Sequence, residues 1–170
     1  MEQEKLCCLV ESLLFVSDGP LEMSKIQQIL EAEPVEVEEA TTLLTERCKD
    51  RGVRIQRKGN AVQMVTAPEA TTYVEKLLGI QQSAKLSTAA LETLAIVAYR
   101  QPLTRAAIEA IRGVNCDRSL STLQARGLIY EVGRLETIGR PILFGTTFEF
   151  LQYFGIETLD QLPPLEEMGP

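Results

Sequence analysis

The stretch RGLIYEVGRLETIGRPILFGTT, residues 126–147, combines the end of a helix with two short apolar segments. Gly127 closes the helix-like run, and the apolar segments flank the seven residues RLETIGR, which contain Gly139 and two arginines. Two short apolar segments joined by a glycine-containing loop are typical of a β-hairpin. A hairpin that follows a helix is the wing of a winged helix-turn-helix domain, and wings usually contact DNA.

The composition is that of an ordinary globular chain that carries an excess of acid. The 170 residues are 45% apolar, and the net charge is −7. This length suffices for one domain or two small ones. The first apolar run, LCCLVESLLFV, is interrupted by Glu11 and lacks a small-residue cleavage site. We therefore expect neither a signal peptide nor a membrane-spanning helix, and no membrane partner.

The chain contains a repeat with the length of a whole domain. At an offset of 82, residues 13–29 match residues 95–111, so that Pro20 corresponds to Pro102 and Ile26 to Ile108, and residues 62–77 resemble residues 142–154. Any two helix-turn-helix segments look somewhat alike, but two matched regions at nearly the same offset favour a duplication. In each copy, apolar periodicity and breakers predict three helices, a hairpin and a further helix.

This order predicts a mainly α fold with small β-hairpins (α+β), consisting of two tandem, duplicated winged-helix domains. The predicted boundaries are residues 1–80 for the N-terminal domain and 86–157 for the C-terminal domain, with a linker at 79–86 and a flexible tail at 158–170. Helix starts are predicted at capping residues, namely Ser24, Ser87, Thr104 and the pair Thr146 and Glu149.

The charge pattern disfavours specific DNA readout. DNA-binding domains need a basic stripe that neutralises phosphates. From residue 86 onward there are seven arginines, no lysine and ten acidic residues, and Asp117 begins the predicted recognition helix. The equivalent helix of the first copy opens with Glu36, Glu38 and Glu39. We expect these helices to be structural or to face protein.

Catalytic and metal-binding motifs are missing from the sequence. There is no histidine, no GxSxG and no GxxxxGK[ST] motif, and the four cysteines have no CxxC spacing. Triads, P-loops and zinc sites depend on such residues. The sequence therefore predicts a protein that is not an enzyme and that carries no metal or cofactor.

Binding to another protein is the function that remains after DNA readout and catalysis are disfavoured. Two regions of the sequence are candidates for such an interface. The first predicted helix is apolar over a wide arc, which would serve either a subunit interface or only the core of its own domain. The dimer-interface candidates on it are Leu6, Leu9, Val10 and Leu13. Bulky side chains near helix ends of the second copy are candidates for a partner interface, with the core again as the alternative. They are Tyr99, Arg100, Phe148 and Tyr153.

Several segments resemble the bacterial segregation and condensation protein B family. They are LSTAALETLAIVAYRQPLTRAAIEAIRGVN, LQARGLIYEVGR, GRPILFGTTFEFLQYFGI and LDQLPPL, with a looser match through ESLLFVSDGPL. AYRQPLTR, IRGVN and GRPILFGTT in this order are not shared by winged helices in general. The principal departure is Phe144, where the family commonly has tyrosine.

The resemblance implies a non-catalytic subunit of the bacterial SMC condensin-like complex, on the nucleoid in the cytoplasm. Such proteins act in chromosome condensation and segregation during cell division. They form a homodimer through the N-terminal winged-helix domain. The kleisin, segregation and condensation protein A, embraces this dimer and bridges the SMC ATPase heads.

The implied kleisin site lies in the C-terminal domain, where an extended or amphipathic segment would dock on apolar and aromatic residues. Candidates for its polar rim are Tyr99, Arg100, Arg118, Arg126, Arg134 and Arg140. The alternative function is a winged-helix transcriptional regulator that binds DNA.

Overall fold

The computed structural model describes residues 2–79 and 85–164. The chain divides into two compact units, one comprising Met1–Gln81 with Gly155–Pro170 and the other Gln82–Phe154. Residues 80–84 of the predicted linker and residues 165–170 of the predicted tail lie outside the described residues.

The N-terminal unit has the element order of a winged helix. Its elements are α1 (Gln3–Val16), β1 (Leu21–Glu22), α2 (Met23–Leu30), α3 (Pro34–Cys48), β2 (Val53–Lys58), β3 (Ala61–Thr66), a 3₁₀ turn (Pro68–Ala70) and α4 (Thr71–Leu78). The strands form an antiparallel sheet in the order β1-β3-β2. β2 and β3 form the wing hairpin, and Gly59 permits its tight turn because it adopts a positive φ of 58°.

The C-terminal unit repeats the same order. Its elements are α5 (Thr88–Arg100), β4 (Leu103–Thr104), α6 (Arg105–Arg112), α7 (Asp117–Ala125), β5 (Ile129–Arg134), β6 (Ile142–Thr146) and α8 (Phe148–Phe154). Its sheet has the equivalent order β4-β6-β5. The prediction of two tandem winged-helix domains with small hairpins is confirmed.

Each unit has its own apolar core, as the helical periodicity predicts. In the N-terminal unit α1 packs mainly against α3, and it also contacts α2 and strand β3. The side chains buried there include Leu6, Val10, Ile26, Val37, Leu44 and Ile55. In the C-terminal unit α5 packs against α6 and α7. Its buried side chains include Leu94, Val97, Ile108, Leu123, Phe150 and Leu151.

Gln101 joins the end of α5 to strand β6. Its side-chain oxygen accepts a hydrogen bond from the Thr146 N–H at 2.7 Å. Its amide nitrogen donates to the Ala98 carbonyl at 3.2 Å and lies 3.0 Å from the Thr146 hydroxyl. A Cβ on Gly145 would lie 3.0 Å from the Gln101 side-chain oxygen, which explains a glycine there. Hydrogen bonds therefore join two of the segments quoted above, AYRQPLTR at 98–105 and GRPILFGTT at 139–147.

The segment after α8 packs on the N-terminal unit. Gln56, which is buried, donates from its side chain to the Ile156 carbonyl at 2.7 Å. The Arg57 N–H donates to the Glu157 carbonyl at 2.9 Å, which uses a donor on the free edge of β2. The C-terminal unit thus ends at Phe154, whereas the sequence predicted an end at residue 157. The flexibility of residues 158–170 stays a prediction.

Candidate protein-binding surfaces

Helix α1 buries two of the four residues that the sequence predicted for a dimer interface. Leu6 and Val10 are 1% and 0% exposed because they lie in the core of their own domain. Neither side chain has surface to offer to a second copy. Leu9 and Leu13 are half-buried, and they are the two candidates on α1 that retain accessible surface.

Helix α4 of the N-terminal unit presents several exposed apolar side chains. Tyr73, Leu77 and Leu78 are 73%, 84% and 63% exposed, and no residue of this helix is buried. Clustered exposed apolar side chains are typical of an interaction surface. These residues are not among the sequence-based candidates, although the four-residue spacing of Tyr73 and Leu77 gives a helix one apolar face.

The recognition helix of the N-terminal unit, α3, begins with an acidic cluster. Glu33 and Glu36 form a capping box, and the bond from the Glu33 backbone N–H lowers the pKa of Glu36. Glu38 pairs with Arg57, so it neutralises a cation of the hairpin. Glu39 is exposed. Carboxylates at this helix end would repel the phosphates of a duplex.

The recognition helix of the C-terminal unit, α7, also begins with an ionised carboxylate. The Asn115 side chain donates to Asp117 at 3.1 Å, and the Arg105 guanidinium forms an ion pair with the same group. The Asn115 hydrogen bond and, after it, Arg105 hold the pKa of Asp117 below its usual value. The carboxylate at the helix end that would enter a DNA groove is therefore ionised at neutral pH and paired with Arg105.

The C-terminal hairpin uses its arginines within its own loop. Arg140 forms an ion pair with Glu136 at 2.8 Å, and Arg134 donates to the Arg140 carbonyl at 3.1 Å. The apolar side chains of the same loop point outward, with Ile138 fully exposed and Leu135 44% exposed. Such a loop is better suited to an apolar partner than to a phosphate backbone.

The eight candidate partner residues do not form one site. Arg118 and Arg126 line a groove on one flank of α7, whereas Arg134 lines a cleft on the other flank. Tyr99 and Arg100 are at the end of α5, Tyr99 half-buried and Arg100 exposed.

The remaining aromatic candidates lie on α8. Phe148 is half-buried at the first position of that helix. Tyr153 is 46% exposed and contacts the ring of Phe154 edge-on, with 5.1 Å between centroids. Tyr153 therefore presents an aromatic surface that a partner could cover.

All four cysteines are free thiols. Cys7, Cys48 and Cys116 are buried, and burial raises the pKa of each of them, which keeps them in the unreactive thiol form. Cys8 is exposed. Within residues 2–79 and 85–164, no three acidic or cysteine side chains come together as a metal site would require.

Among the described helices, none has both the length and the apolar character needed to cross a bilayer.

Comparison with known proteins identifies relatives along nearly the whole chain. The model of the family "Segregation and condensation complex subunit ScpB" matches residues 8–165. Segregation and condensation protein B of Geobacillus kaustophilus is 49% identical over 162 residues, which are 94% of this chain and 75% of that protein. The protein of the same name from Clostridium botulinum strain Hall is 45% identical over 172 residues, covering 98% and 88%.

Solved structures are also similar. ScpB from Mycobacterium tuberculosis is 38% identical, with a TM-score of 0.44, over 92% of this chain and 98% of that one. A dimer of the ScpB N-terminal domain complexed with a ScpA peptide is 28% identical, with a TM-score of 0.42, over 45% of this chain and 99% of that one.

Proposed function

Because the chain belongs to the segregation and condensation complex subunit ScpB family, we propose that it is a non-catalytic scaffold of the bacterial SMC complex on the nucleoid. It forms a homodimer through its N-terminal unit. It binds the kleisin ScpA through its C-terminal unit and, through the kleisin, joins the SMC ATPase. Its role is in chromosome condensation and segregation.

The proposed dimer contact uses α4 together with the free parts of α1. Tyr73, Leu77 and Leu78 expose apolar surface that a second copy would remove from water, and such burial stabilises association by about 25 cal/mol per Å². Leu9 and Leu13 add half-buried surface. A small winged-helix unit is marginally stable alone, so a symmetric contact would also support its fold.

The observation that carries the choice of a protein partner over DNA is the C-terminal hairpin loop. Of the two loop cations, Arg140 is paired with Glu136 and Arg134 donates to a backbone carbonyl, and the loop tip presents Ile138 to solvent. Duplex binding requires unpaired cations on the surface that approaches the phosphates. At the start of α7, Asp117 is ionised and occupies the Arg105 guanidinium, so that cation is also engaged within the domain.

An Ile138→Lys variant separates the two partner classes. A lysine at the loop tip would strengthen binding to random-sequence duplex DNA, but it would weaken binding to an apolar kleisin segment by about fivefold or more. Ile29→Lys is the matched control, because Ile29 is another exposed isoleucine and lies on α2. Affinities for purified ScpA and for the duplex are measured by calorimetry and fluorescence anisotropy over a range of salt concentrations.

The wild-type protein is expected to bind ScpA and to bind DNA weakly or not at all at physiological salt. Tight, sequence-selective DNA binding without capture of ScpA would overturn the proposal in favour of a transcriptional regulator.

A further inference from the structure

A cationic groove lies along one flank of α7, and no residue of the C-terminal hairpin lines it. Its volume is about 640 Å³, and it is formed by the start of α5, the end of α6 and one side of α7. Its charged lining residues are Lys85, Arg112, Arg118 and Arg126, and none of the described residues that line it is acidic. The groove is thus positively charged, although the chain as a whole has a net charge of −7.

Two of these guanidinium groups each have one buried nitrogen without a hydrogen-bond partner. The Arg112 side chain is 8% exposed, and its Nη2 pairs with Glu92 at 2.9 Å. Its Nε is buried and has no hydrogen-bond partner, and the same holds for Nη1 of Arg126. A guanidinium does not lose its charge, and buried polar groups are nearly always paired. The wall of the groove therefore holds two N–H donors without an acceptor, and the charge of Arg112 is paired with Glu92.

The rim of the groove adds further attraction for an anion. Arg118 is exposed, and neither Arg118 nor Lys85 forms an ion pair with another described residue. Ser87 and Ala89 of the first turn of α5 also line the groove. The N-terminal end of this 13-residue helix carries the positive end of its dipole and unpaired backbone N–H groups.

We propose that this groove binds a side-chain carboxylate of an acidic segment of the kleisin, an inference that rests on the proposed function. Arginine pairs with carboxylates through two parallel hydrogen bonds, which suits the guanidiniums of Arg118 and Arg126. Val114, at 55% exposure, and the buried Leu86 give the groove apolar walls for the stem of such a side chain.

A flexible side chain fits this site better than a DNA phosphate does. The lining cations lie in a concavity that a single side chain can enter, whereas a rigid duplex offers phosphates only along its outer surface. The overall negative charge of the chain also opposes a polyanion more than a single carboxylate.

The test measures the affinity of the full chain for purified ScpA by calorimetry. Arg118→Gln and Arg126→Gln are each expected to raise the Kd about tenfold or more, because each removes a charge-assisted hydrogen-bond donor. Arg51→Gln removes the same charge from an exposed position of the N-terminal unit and is expected to change the Kd less than about twofold. Arg126 is half-buried, and its replacement could unfold the domain. In that case the Kd of the Arg118→Gln variant is the test, because Arg118 is exposed.

The kleisin side of the contact is tested by replacing its acidic residues with amides one at a time. One of these ScpA variants is expected to bind the wild-type chain more weakly. The same ScpA variant should bind the Arg118→Gln chain no more weakly than unchanged ScpA does, since both changes break the same ion pair. Binding of random-sequence duplex DNA to the same variants is measured in parallel.

Each other outcome overturns the inference. If wild-type protein binds ScpA and neither arginine variant weakens it, the groove is not the site, and the proposed function stands. If the arginine variants lose DNA binding but not ScpA binding, the groove is a phosphate site. If the wild-type chain does not bind ScpA, the inference and the proposed function fall together.

Discussion

Replacing Gln101 by methionine would remove the hydrogen bonds that join the end of α5 to strand β6, with little change in side-chain volume. Gln101 is half-buried, and its amide group makes its contacts with Thr146 and with the Ala98 carbonyl. Methionine can neither accept from the Thr146 N–H nor donate to the Ala98 carbonyl. The substitution therefore removes the bonds and leaves the apolar packing of the C-terminal unit in place.

The expected loss of stability follows from the burial of Thr146, whose N–H donates to Gln101. Thr146 is 0% exposed, so water cannot replace the bond that its N–H loses. Leaving a buried donor unpaired costs about 1–3 kcal/mol. In a unit of this size each kcal/mol lowers the Tm by roughly 4–8 °C. We expect the Tm of the C-terminal unit to fall by roughly 5–20 °C.

Thermal and urea unfolding followed by circular dichroism measure this change. Gln152→Met is the matched control, because Gln152 is exposed on α8 and the same chemical change there should cost less than about 0.5 kcal/mol. If Gln101→Met is no more destabilising than Gln152→Met, the junction does not stabilise the fold as we describe.

The same junction predicts a coupling with Gly145. A Cβ at position 145 would press on the Gln101 side-chain oxygen at 3.0 Å, so Gly145→Ala is expected to destabilise the protein. With Gln101→Ala as the background, that obstacle is gone and the cost of Gly145→Ala should shrink. Additive costs in the double mutant would show that the glycine is required for another reason.

Three further predictions concern the N-terminal unit. A chain truncated after Phe154 should exchange the Arg57 amide proton faster than the full chain in hydrogen-exchange NMR, because its acceptor at residue 157 is gone; equal rates would contradict the docking. Arg47→Gln should raise the pKa of Glu4 back to its ordinary value, as measured by NMR titration. In the wild type, the stabilisation from this pair is present above about pH 4.5 and is lost as the pH falls through the lowered pKa. Leu77→Glu should weaken self-association and leave the unfolding free energy of the monomer within about 0.5 kcal/mol, since this side chain is 84% exposed; an unchanged dimer would exclude α4 from the contact.

The architecture was predictable because it depends on local patterns. Apolar periodicity identified the helices, and the turn at Gly59 and the loop around Gly139 identified the hairpins. Caps at Ser87 and Thr104 are confirmed, since each side chain accepts from the backbone N–H three residues later at 3.2 Å. These signals lie within a few residues of the structure that they specify.

Two predicted caps are wrong because pairing with distant strands shifted the helix starts. Helix α2 begins at Met23, whose N–H donates to the Asn60 carbonyl of the hairpin at 2.8 Å, so Ser24 lies inside the helix. Thr146 belongs to β6, and Thr147 provides the cap by accepting from the Phe150 N–H at 3.1 Å. Sequence near a helix start does not show which strand the chain joins before it.

The candidate surfaces were only partly predictable. Arg118 and Arg126 were singled out as partner residues, but Lys85 and Arg112 were missed, because the groove arises only when α6 and α7 pack beside the start of α5. The burial of Leu6 and Val10 likewise depends on how α3 covers α1. An apolar helix face has the same sequence pattern whether its own domain or a partner covers it.

The two winged-helix units illustrate how charge changes the use of a fold. Both recognition helices begin with carboxylates, at Glu36 and at Asp117, where a DNA-binding protein would place cations. Arg140 is instead paired within its loop, and four other cations of the C-terminal unit line a groove. A fold that usually binds a polyanion is in this way suited to hold a polypeptide.

Light scattering coupled to size exclusion, on the purified chain alone and after mixing with ScpA, tests the central claim most directly. The account predicts a mass of twice the 18.9 kDa of one chain, and a heavier complex that contains the dimer and the kleisin. A monomer that does not shift when ScpA is added would contradict it.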